Sequence, residues 1–461
     1  MNIYSKPIKS AGLYIDKVLD RFVVYNPLSE RGILVVGSGI GHLLEYCQGS
    51  QNVLSIAKRM SLSNKDTFEI MKKLADYEIL NLPGYKPSYS LPNKESRLRV
   101  WIHTTNACNL ACRYCYVNKD GRKMSVEIAR KSVDALYQSI FKHKDVTRLM
   151  YVLAGGEPLT NLDAIKEILD YSQIQVQKFG ISRTVAIITN GTILNSEIIA
   201  LVKSHNIGLS ISIDGLDDTN RNRVFRNGRS SVNVVLGHID ELLKAGIQPF
   251  ILITLAPENL NGLGVLTKYL LERNLGFSFS LVRDPRIAVN LKTYLDRLIG
   301  ILTQCYDLIE EMLPKCSHYI KHKFGTISLQ SHSRRGCSLG KGSFVISHDG
   351  RVYLCQMDVG SYRKVTTIED EDILGKVRTQ MIYPELNEYK SIEEYQGCSQ
   401  CYWRYQCAGG CPLFTKKVTG HLNFPSPYCA VYRKIIPRLI RLEALNFIIE
   451  HERCKSRQKS G

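Results

Sequence analysis

The sequence lacks several features that would assign it to a common class of protein. It has no run of about 18 apolar residues, so no segment is predicted to span a membrane. Its first residues form no apolar segment with a small-residue cleavage site, and we therefore expect a cytoplasmic protein. The net charge is +18, yet arginine forms no concentrated run. Charge alone therefore indicates an anionic partner only weakly, because it also serves solubility.

The chain is long, has enough apolar residues to form a core, and is rich in cysteine. Its 461 residues predict two or three domains, and 44% apolar with 23% charged residues is typical of a globular protein. Fourteen cysteines occur. Disulfides are rare in the cytoplasm, so these cysteines favour metal ligation.

Three of the cysteines fall within eight residues, at Cys108, Cys112 and Cys115, after a β-rich segment at 98–104. Three thiolates on one loop can bind three irons of a cubane cluster and leave the fourth iron open. Zinc is the alternative, but it needs a fourth ligand nearby, which this loop does not offer. A third possibility is that the cysteines are small buried apolar residues.

Alternating strand and helix patterns follow the cysteine loop. Strands are predicted at 148–153, 184–189, 208–213, 249–254 and 276–281, and helices at 124–142, 162–179, 194–204, 231–245 and 258–272. With the strand before Cys108 these make six βα units. The expected fold is therefore α/β, a partial (βα)6 TIM-like barrel.

Motifs lie where these strands end. Gly155-Gly156-Glu157-Pro158 follows the second predicted strand, Asn190 the third, and Asp214 the fourth, with Arg223 shortly after. Glycine after a strand is usually only a turn. Because the carboxyl ends of parallel strands share one edge, four such motifs in succession favour one site at that edge.

Cys-x3-Cys-x2-Cys followed by Gly-Gly-Glu-Pro resembles the radical S-adenosylmethionine (radical SAM) superfamily across 96–285. The resemblance implies that the three cysteines bind a [4Fe-4S] cluster, whose open iron chelates S-adenosyl-L-methionine (SAM). It implies further SAM contacts: Tyr114 at adenine; Gly155, Gly156 and Glu157 at the methionine ammonium; Asn190, Ser212 and Asp214 at ribose and carboxylate; and Arg223 at the carboxylate. It also implies reductive cleavage of SAM to a 5′-deoxyadenosyl radical that abstracts hydrogen from a substrate.

The first 95 residues predict strands at 21–26 and 32–36, then helices capped by Ser38 and Ser63, a winged-helix-like order. Such modules often bind DNA. Residues 1–95 contain 12 Lys and Arg and 9 Asp and Glu, which gives a net charge of only +3. The order also resembles the PqqD-like peptide-recognition domain, in which a leader peptide adds a strand to the sheet edge.

The C-terminal region carries a second set of cysteines without interleaved histidine ligands, and it is similar to the SPASM extension of radical SAM enzymes. The resemblance implies two auxiliary clusters. The distal one would use Cys398, Cys401, Cys407 and Cys429, and the proximal one Cys337, Cys355 and Cys411. A further cysteine that relatives carry shortly before Cys337 is missing. Either Cys316 supplies the missing ligand, or one iron of the proximal cluster has no protein ligand. Alternatively, Cys316 and Cys305 are core residues of a helix. Gln356 stands where sulfatase-maturing relatives carry an aspartate base.

These observations predict four parts: a peptide-recognition domain at 1–95, the radical SAM barrel at 96–285, a helical bridge at 286–330, and a SPASM domain at 331–461. The expected enzyme modifies a ribosomally made precursor peptide, forming a thioether, with flavodoxin or ferredoxin as reductant and no membrane or nucleic-acid partner. Carbon–carbon crosslinking, epimerisation and backbone excision stay open. A DNA-binding iron–sulfur redox regulator would leave the Gly-Gly-Glu-Pro motif unexplained.

Overall fold

The computed structural model describes residues 3–86, 97–316, 320–329, 332–361, 363–379 and 389–459. The predicted domain boundaries at 95/96 and 330/331 lie outside the described residues. Within the described ranges, no helix is both long enough and apolar enough to cross a membrane.

The N-terminal module is a small sheet followed by three helices. Its elements are β1 (Ile8–Lys9), β2 (Tyr14–Val18), β3 (Arg21–Tyr25), β4 (Ile33–Gly37), α1 (Ser38–Tyr46), α2 (Val53–Arg59), α3 (Asn64–Asp76) and β5 (Leu80–Asn81). The predicted cap at Ser63 is confirmed, since its side chain accepts from the Asp66 amide. The predicted cap at Ser38 is wrong. Gly37 holds that position, without a side-chain bond, because β4 runs directly into the helix.

The central region has the predicted alternation. Its strands are β6 (Arg97–Thr105), β7 (Arg148–Gly155), β8 (Ser182–Thr189), β9 (Gly208–Ser212), β10 (Phe250–Leu255) and β11 (Phe277–Leu281). The intervening helices are α4 (Val126–His143), α5 (Leu162–Phe179), α6 (Ser196–Ser204), α7 (Val232–Lys244) and α8 (Leu263–Glu272). Each strand pairs in parallel with the next, and their apolar residues form the main core. The six carboxyl ends therefore share one edge of the partial barrel.

The C-terminal region extends this sheet at both ends. Its elements are α9 (Leu291–Met312), β12 (His322–Phe324), β13 (Ser343–Ile346), β14 (Arg351–Tyr353), β15 (Thr366–Thr367), α10 (Ile373–Thr379), α11 (Arg404–Cys407), α12 (Pro412–Thr419) and α13 (Cys429–Lys459). Strand β12 pairs in parallel with β11, and β13 with β6. The described sheet thus has ten strands. The cysteine-rich region is therefore built onto the barrel.

Helix α13 joins the N-terminal module to the rest of the molecule. It packs on the β2–β3–β4 sheet, where the Arg441 guanidinium donates to Asp16 at 2.5 Å and to the Lys17 carbonyl at 3.1 Å. Val23 and Tyr25 of β3 belong to the same buried cluster as the barrel core. The module is therefore anchored by both charge and apolar burial.

Candidate active site

The cysteine loop leaves the end of β6 and is held by a segment that follows β9. The Ala111 amide donates to the Val224 carbonyl at 2.8 Å, and the Arg113 amide to the Asn222 carbonyl at 3.1 Å. The Arg226 Nε donates to the Cys108 carbonyl at 2.9 Å. The sequence reasoning missed this segment, because nothing in its residues indicates pairing with a loop more than 100 positions earlier.

Gly155 and Gly156 lie directly beneath this loop. The Gly156 amide donates to the Thr105 carbonyl at 2.7 Å, and the Glu157 amide to the Ala107 carbonyl at 2.8 Å. A Cβ on Gly156 would lie 2.3 Å from the Ala107 oxygen. Glycine is required here because two backbone segments touch without room for a side chain.

Glu157 is fully buried and connects the ends of β7 and β8. Its carboxylate accepts from the Thr189 hydroxyl at 2.7 Å, the Asn190 amide at 2.7 Å and the Leu159 amide at 3.1 Å. Burial raises its pKa to about 7, against the lowering effect of these donors. Both oxygens thus serve internal bonds, and contact of this carboxylate with the SAM ammonium stays a prediction.

Asn190 continues this network to the cysteine loop. Its side-chain amide donates to the Asn109 Oδ1 at 2.8 Å and lies 3.8 Å from the Cys108 sulfur. Its own oxygen accepts from the Thr192 amide at 2.9 Å. A donor to a ligating sulfur tunes a bound metal centre, so Asn190 stands close enough to act on the predicted cluster.

Tyr114, Asp214 and Arg223 form one buried group beside the loop. The Tyr114 hydroxyl donates to the Asp214 carboxylate, whose other oxygen accepts from the Thr254 amide at 2.9 Å. The Arg223 Nε lies 3.0 Å from Asp214 Oδ2, as an ion pair without hydrogen-bond geometry. Ser212, the last residue of β9, is half-buried at the same edge. The residues predicted to contact SAM are thus gathered around the cysteine loop, while their individual contacts stay predictions.

A cavity of about 540 Å³ opens beside Tyr114. Ala256 and Val282, which directly follow the fifth and sixth barrel strands, also line it, together with Tyr294 of α9. This volume lies within the range of small-molecule sites, about 300–1,000 Å³. The adenine end of SAM fits this location, because Tyr114 is the residue predicted to border adenine.

The three thiols of the loop lie close enough to influence one another. Burial raises the pKa of Cys108, and the neighbouring Cys112 thiol raises it further. Burial also raises the pKa of Cys112, and the Cys115 thiol raises it further. In the described residues, no three His, Cys, Asp or Glu side chains converge as one metal ion requires. The cubane that the resemblance implies would place each thiolate on a different iron.

The C-terminal cysteines divide into the two predicted sets. Burial raises the pKa of Cys355 to about 12, and the Cys411 and Cys337 thiols add to this rise. Burial also raises the pKa of Cys407 to about 12, with further contributions from Cys398, Cys401 and Cys429. We refer to Cys337, Cys355 and Cys411 as the three-cysteine group and to the others as the four-cysteine group.

Of the four remaining cysteines, three are buried packing residues, and Cys454 is exposed on α13. The Cys316 sulfur lies 3.5 Å from the Met312 carbonyl and 3.8 Å from the Leu271 carbonyl, and Cys305 is buried in α9. The Cys47 sulfur donates to the Leu43 carbonyl within the core of the N-terminal module. Among the described residues, the three-cysteine group therefore has no fourth cysteine beside it.

Residues 102–268 match the Radical SAM superfamily. This part of the chain is a radical SAM domain. The family implies a [4Fe-4S] cluster and SAM as cofactors, and the cysteine loop, the glycines below it and the cavity beside Tyr114 fit that pair.

The similarity to individual relatives extends beyond the barrel. The radical SAM cyclopropyl synthase TigE of Paramaledivibacter caminithermalis is 23% identical over 457 residues, which cover 89% of this chain and 91% of TigE. The serine-type anaerobic sulfatase-maturating enzyme of Klebsiella aerogenes is 23% identical over 339 residues, 69% of this chain and 78% of the relative. The crystal structure of Streptococcus suis SuiB bound to precursor peptide SuiA superposes with a TM-score of 0.53 at 16% identity, covering 92% of this chain and 99% of SuiB. That likeness establishes a shared fold.

Proposed function

We propose that this radical SAM enzyme modifies a ribosomally made precursor peptide, and that thioether formation is its reaction. The observation that carries the proposal is the closeness of the cysteine loop to the three-cysteine group. The Tyr116 hydroxyl, next to Cys115, donates to Gln356, next to Cys355, at 3.0 Å. A substrate side chain placed there would reach both centres.

The residues of the first centre have distinct tasks. Cys108, Cys112 and Cys115 hold the cluster, which with SAM supplies one-electron reduction and a carbon radical. Tyr114 borders the adenine pocket and is fixed by its bond to Asp214. Asn190 orients the loop through Asn109. The task of the protein is to place the substrate C–H beside the radical and to keep water away from it.

The C-terminal cysteines would hold two auxiliary clusters. The four-cysteine group can satisfy all four irons of a cubane, while the three-cysteine group leaves one iron without a protein ligand. A substrate thiolate can fill that position, which is why we place a thioether first. Gln356 cannot serve as the carboxylate base of the sulfatase-maturing relatives.

The N-terminal module offers a site for the leader of the precursor. Helices α1–α3 cover one face of the β2–β3–β4 sheet and α13 covers the other, so a peptide can add only at an edge. Strand β4 is an edge strand with the apolar sequence Ile33-Leu34-Val35-Val36-Gly37. An exposed edge strand pairs readily with another chain, and peptide-recognition domains use such an edge to bind their peptide. SuiB, which shares the fold, is described as bound to a precursor peptide.

The first test is SAM cleavage by anaerobically reconstituted protein reduced with dithionite, flavodoxin or ferredoxin. We expect release of 5′-deoxyadenosine, and we expect Cys112→Ala to abolish it. Iron analysis should give about twelve irons per chain for three cubanes. About four irons would refute the auxiliary clusters, and cleavage retained in the variant would refute the assignment of the loop.

The product is decided by co-expression with a candidate precursor and mass spectrometry. A crosslink lowers the peptide mass by two hydrogens, epimerisation leaves it unchanged, and backbone excision removes a larger fragment. Carbon–carbon bond formation is the second candidate, favoured by the near-complete match to a cyclopropyl synthase. Alkylation of free thiols separates the two crosslinks, because a thioether consumes a cysteine thiol and a carbon–carbon bond does not.

A further inference from the structure

The ten strands of the described sheet carry basic residues but no aspartate or glutamate. The basic residues are Arg97, Arg99, Arg148, Arg183, Lys323 and Arg351. Glu157 and Asp214, which follow β7 and β9, are already engaged by donors of the site. A cleft lined by one sign of charge attracts ligands of the opposite sign. The role of these charges therefore depends on which face of the sheet carries them.

Strand β6 places Arg99 inside the partial barrel. Leu98, Val100 and Ile102 are almost completely buried in the main core, and the helices of such a barrel cover its outer face. Because side chains alternate along a strand, Arg99 and Trp101 face the interior. Arg99 is exposed there and Trp101 is half-buried. The interior is therefore accessible beside Arg99.

Strand β12 places Lys323 on the same inner face. Lys323 is in register with Ser278 of β11. Its neighbour Phe324 is in register with Phe279, whose ring packs edge-on against Tyr306 of α9 with ring centres 6.3 Å apart. The two phenylalanines therefore lie on the face that the helices cover. Lys323 lies on the opposite face, where it is exposed.

Arg99 and Lys323 reach this interior from its two sides. Strand β6 begins the partial barrel, and β12 is added beside its last strand, β11. Because the sheet curls, its two sides turn toward each other. Burial lowers the pKa of Lys323, and the charges of Lys321 and Arg99 lower it further. Among the described residues, neither Arg99 nor Lys323 has an ion-pair partner or a side-chain hydrogen bond. Two such cations favour the binding of an anion in the interior.

The interior extends from Arg99 toward the cysteine loop. His103 lies on the same face of β6 and is fully buried, and in the described part of the chain neither of its ring nitrogens has a partner. The centre of its ring lies 6.3 Å from that of Tyr116, which follows Cys115. A buried polar group without a protein partner needs one from water or a bound molecule. Since four residues of a strand span about 13 Å, an extended peptide that contacts Arg99 reaches the loop within about four residues.

We propose that Arg99 and Lys323 bind the carboxylate of an aspartate or glutamate side chain of the substrate peptide inside the partial barrel. A carboxylate can accept two parallel bonds from the guanidinium and another from the ammonium. The acidic residue then lies within about four residues of the one that is modified. The inference rests on the proposed function, since it takes the substrate to be a peptide. It adds a recognition element that the cofactor ligands do not contain.

The test measures peptide binding to full-length reconstituted enzyme with SAM, at fixed ionic strength, by fluorine NMR of the peptide. The probe is trifluoroacetyl-Gly-Glu-Gly-amide, and its counterparts carry glutamine or lysine in place of glutamate. We expect the glutamate peptide to bind about tenfold more tightly than the glutamine peptide, equivalent to about 1.4 kcal/mol. The lysine peptide should bind more weakly than both.

Arg99→Gln and Lys323→Gln should each weaken binding of the glutamate peptide about tenfold and leave the glutamine peptide within about twofold. Lys203→Gln is the matched control, because it removes the same charge from an exposed position in the last turn of α6. It should change neither affinity. Arg99→Glu should make the lysine peptide the preferred one, which general loss of structure cannot do. Equal binding of the glutamate and glutamine peptides, or an equal loss in Lys203→Gln, would overturn the inference.

Binding requires no turnover, so the two proposals can fail separately. A precursor that is modified on co-expression, by an enzyme that shows no preference for the glutamate peptide, would overturn this inference alone. A clear preference for the glutamate peptide without modification of any precursor would refute the proposed function and leave the carboxylate site standing. If Arg99→Gln does not retain iron, the comparison of Lys323→Gln with Lys203→Gln decides, and equal affinities in those two variants would overturn the inference.

Discussion

Replacing Gly156 with alanine should detach the cysteine loop from the barrel. The added Cβ would lie 2.3 Å from the Ala107 oxygen, 2.7 Å from the Ala107 carbonyl carbon and 2.7 Å from the Asn106 oxygen. All three are backbone atoms, so no rotamer change can relieve the overlap. The backbone immediately before Cys108 must move by about an ångström to restore ordinary contact distances.

The magnitude follows from what that movement breaks. Overpacking of a close contact costs about 1–3 kcal/mol. The bonds from the Gly156 amide to Thr105, at 2.7 Å, and from the Glu157 amide to Ala107, at 2.8 Å, cross the same contact. Their loss adds about 0.5–1.5 kcal/mol each. We therefore expect Gly156→Ala to destabilise the protein by roughly 2–6 kcal/mol.

The assay is urea unfolding of the metal-free protein, followed by iron content after reconstitution. Gly237→Ala is the matched control, because it lies inside α7 and its added methyl meets no atom within 4 Å. We expect that control to be neutral or stabilised by up to about 1 kcal/mol. Unchanged stability together with full iron loading in Gly156→Ala would refute the reasoning that this glycine supports the loop.

Three further predictions concern contacts around the site. Arg226→Ala removes the donor to the Cys108 carbonyl, and we expect iron to be lost to a chelator several times faster; an unchanged rate would contradict a role in holding the loop. Burial raises the pKa of Glu157 from 4.5 to about 7. Between these pH values the carboxyl group is therefore protonated in the folded state and ionised in the unfolded state. Stability of the metal-free protein should fall by at most about 3 kcal/mol as pH rises from about 4.5 to 7. Glu157→Gln should lose this dependence in melting curves, and parallel curves would contradict the shift. Gln406→Ala removes buried bonds to the Tyr25 hydroxyl at 2.8 Å and the Pro27 carbonyl at 3.0 Å, and limited proteolysis should then cut the N-terminal module faster than in the unmodified protein.

The barrel was predictable because its signals are local. Each strand of the alternating region is a run of β-rich residues bounded by polar turns, and the predicted strands fall within a few residues of those found. The position of the motifs followed from topology alone, since parallel strands bring their carboxyl ends to one edge. The gathering of Gly156, Asn190 and Asp214 around the cysteine loop is the consequence.

What the sequence could not predict depends on pairing at long range. Strands β12 and β13 are three and four residues long, too short for a periodic signal, and β13 pairs with a strand more than 200 positions earlier. The antiparallel contact between Leu110 and Phe225 likewise has no local pattern. The hydrogen bonds that the Glu157 carboxylate accepts could not be predicted either, because the motif indicates a buried acid but not the groups that donate to it.

The pairing of β13 with β6 explains how two cysteine sets from distant parts of the chain can serve one reaction. Ile346 of β13 is in register with Ile102 of β6, and β6 leads directly into the cysteine loop. Strand β14 pairs with β13 and ends two residues before Cys355. A continuous ladder of backbone bonds therefore connects the strand that precedes Cys355 to the strand from which the cysteine loop starts. Two centres that act on one substrate need such a frame, because an error of about 1 Å in substrate placement costs about a hundredfold in rate.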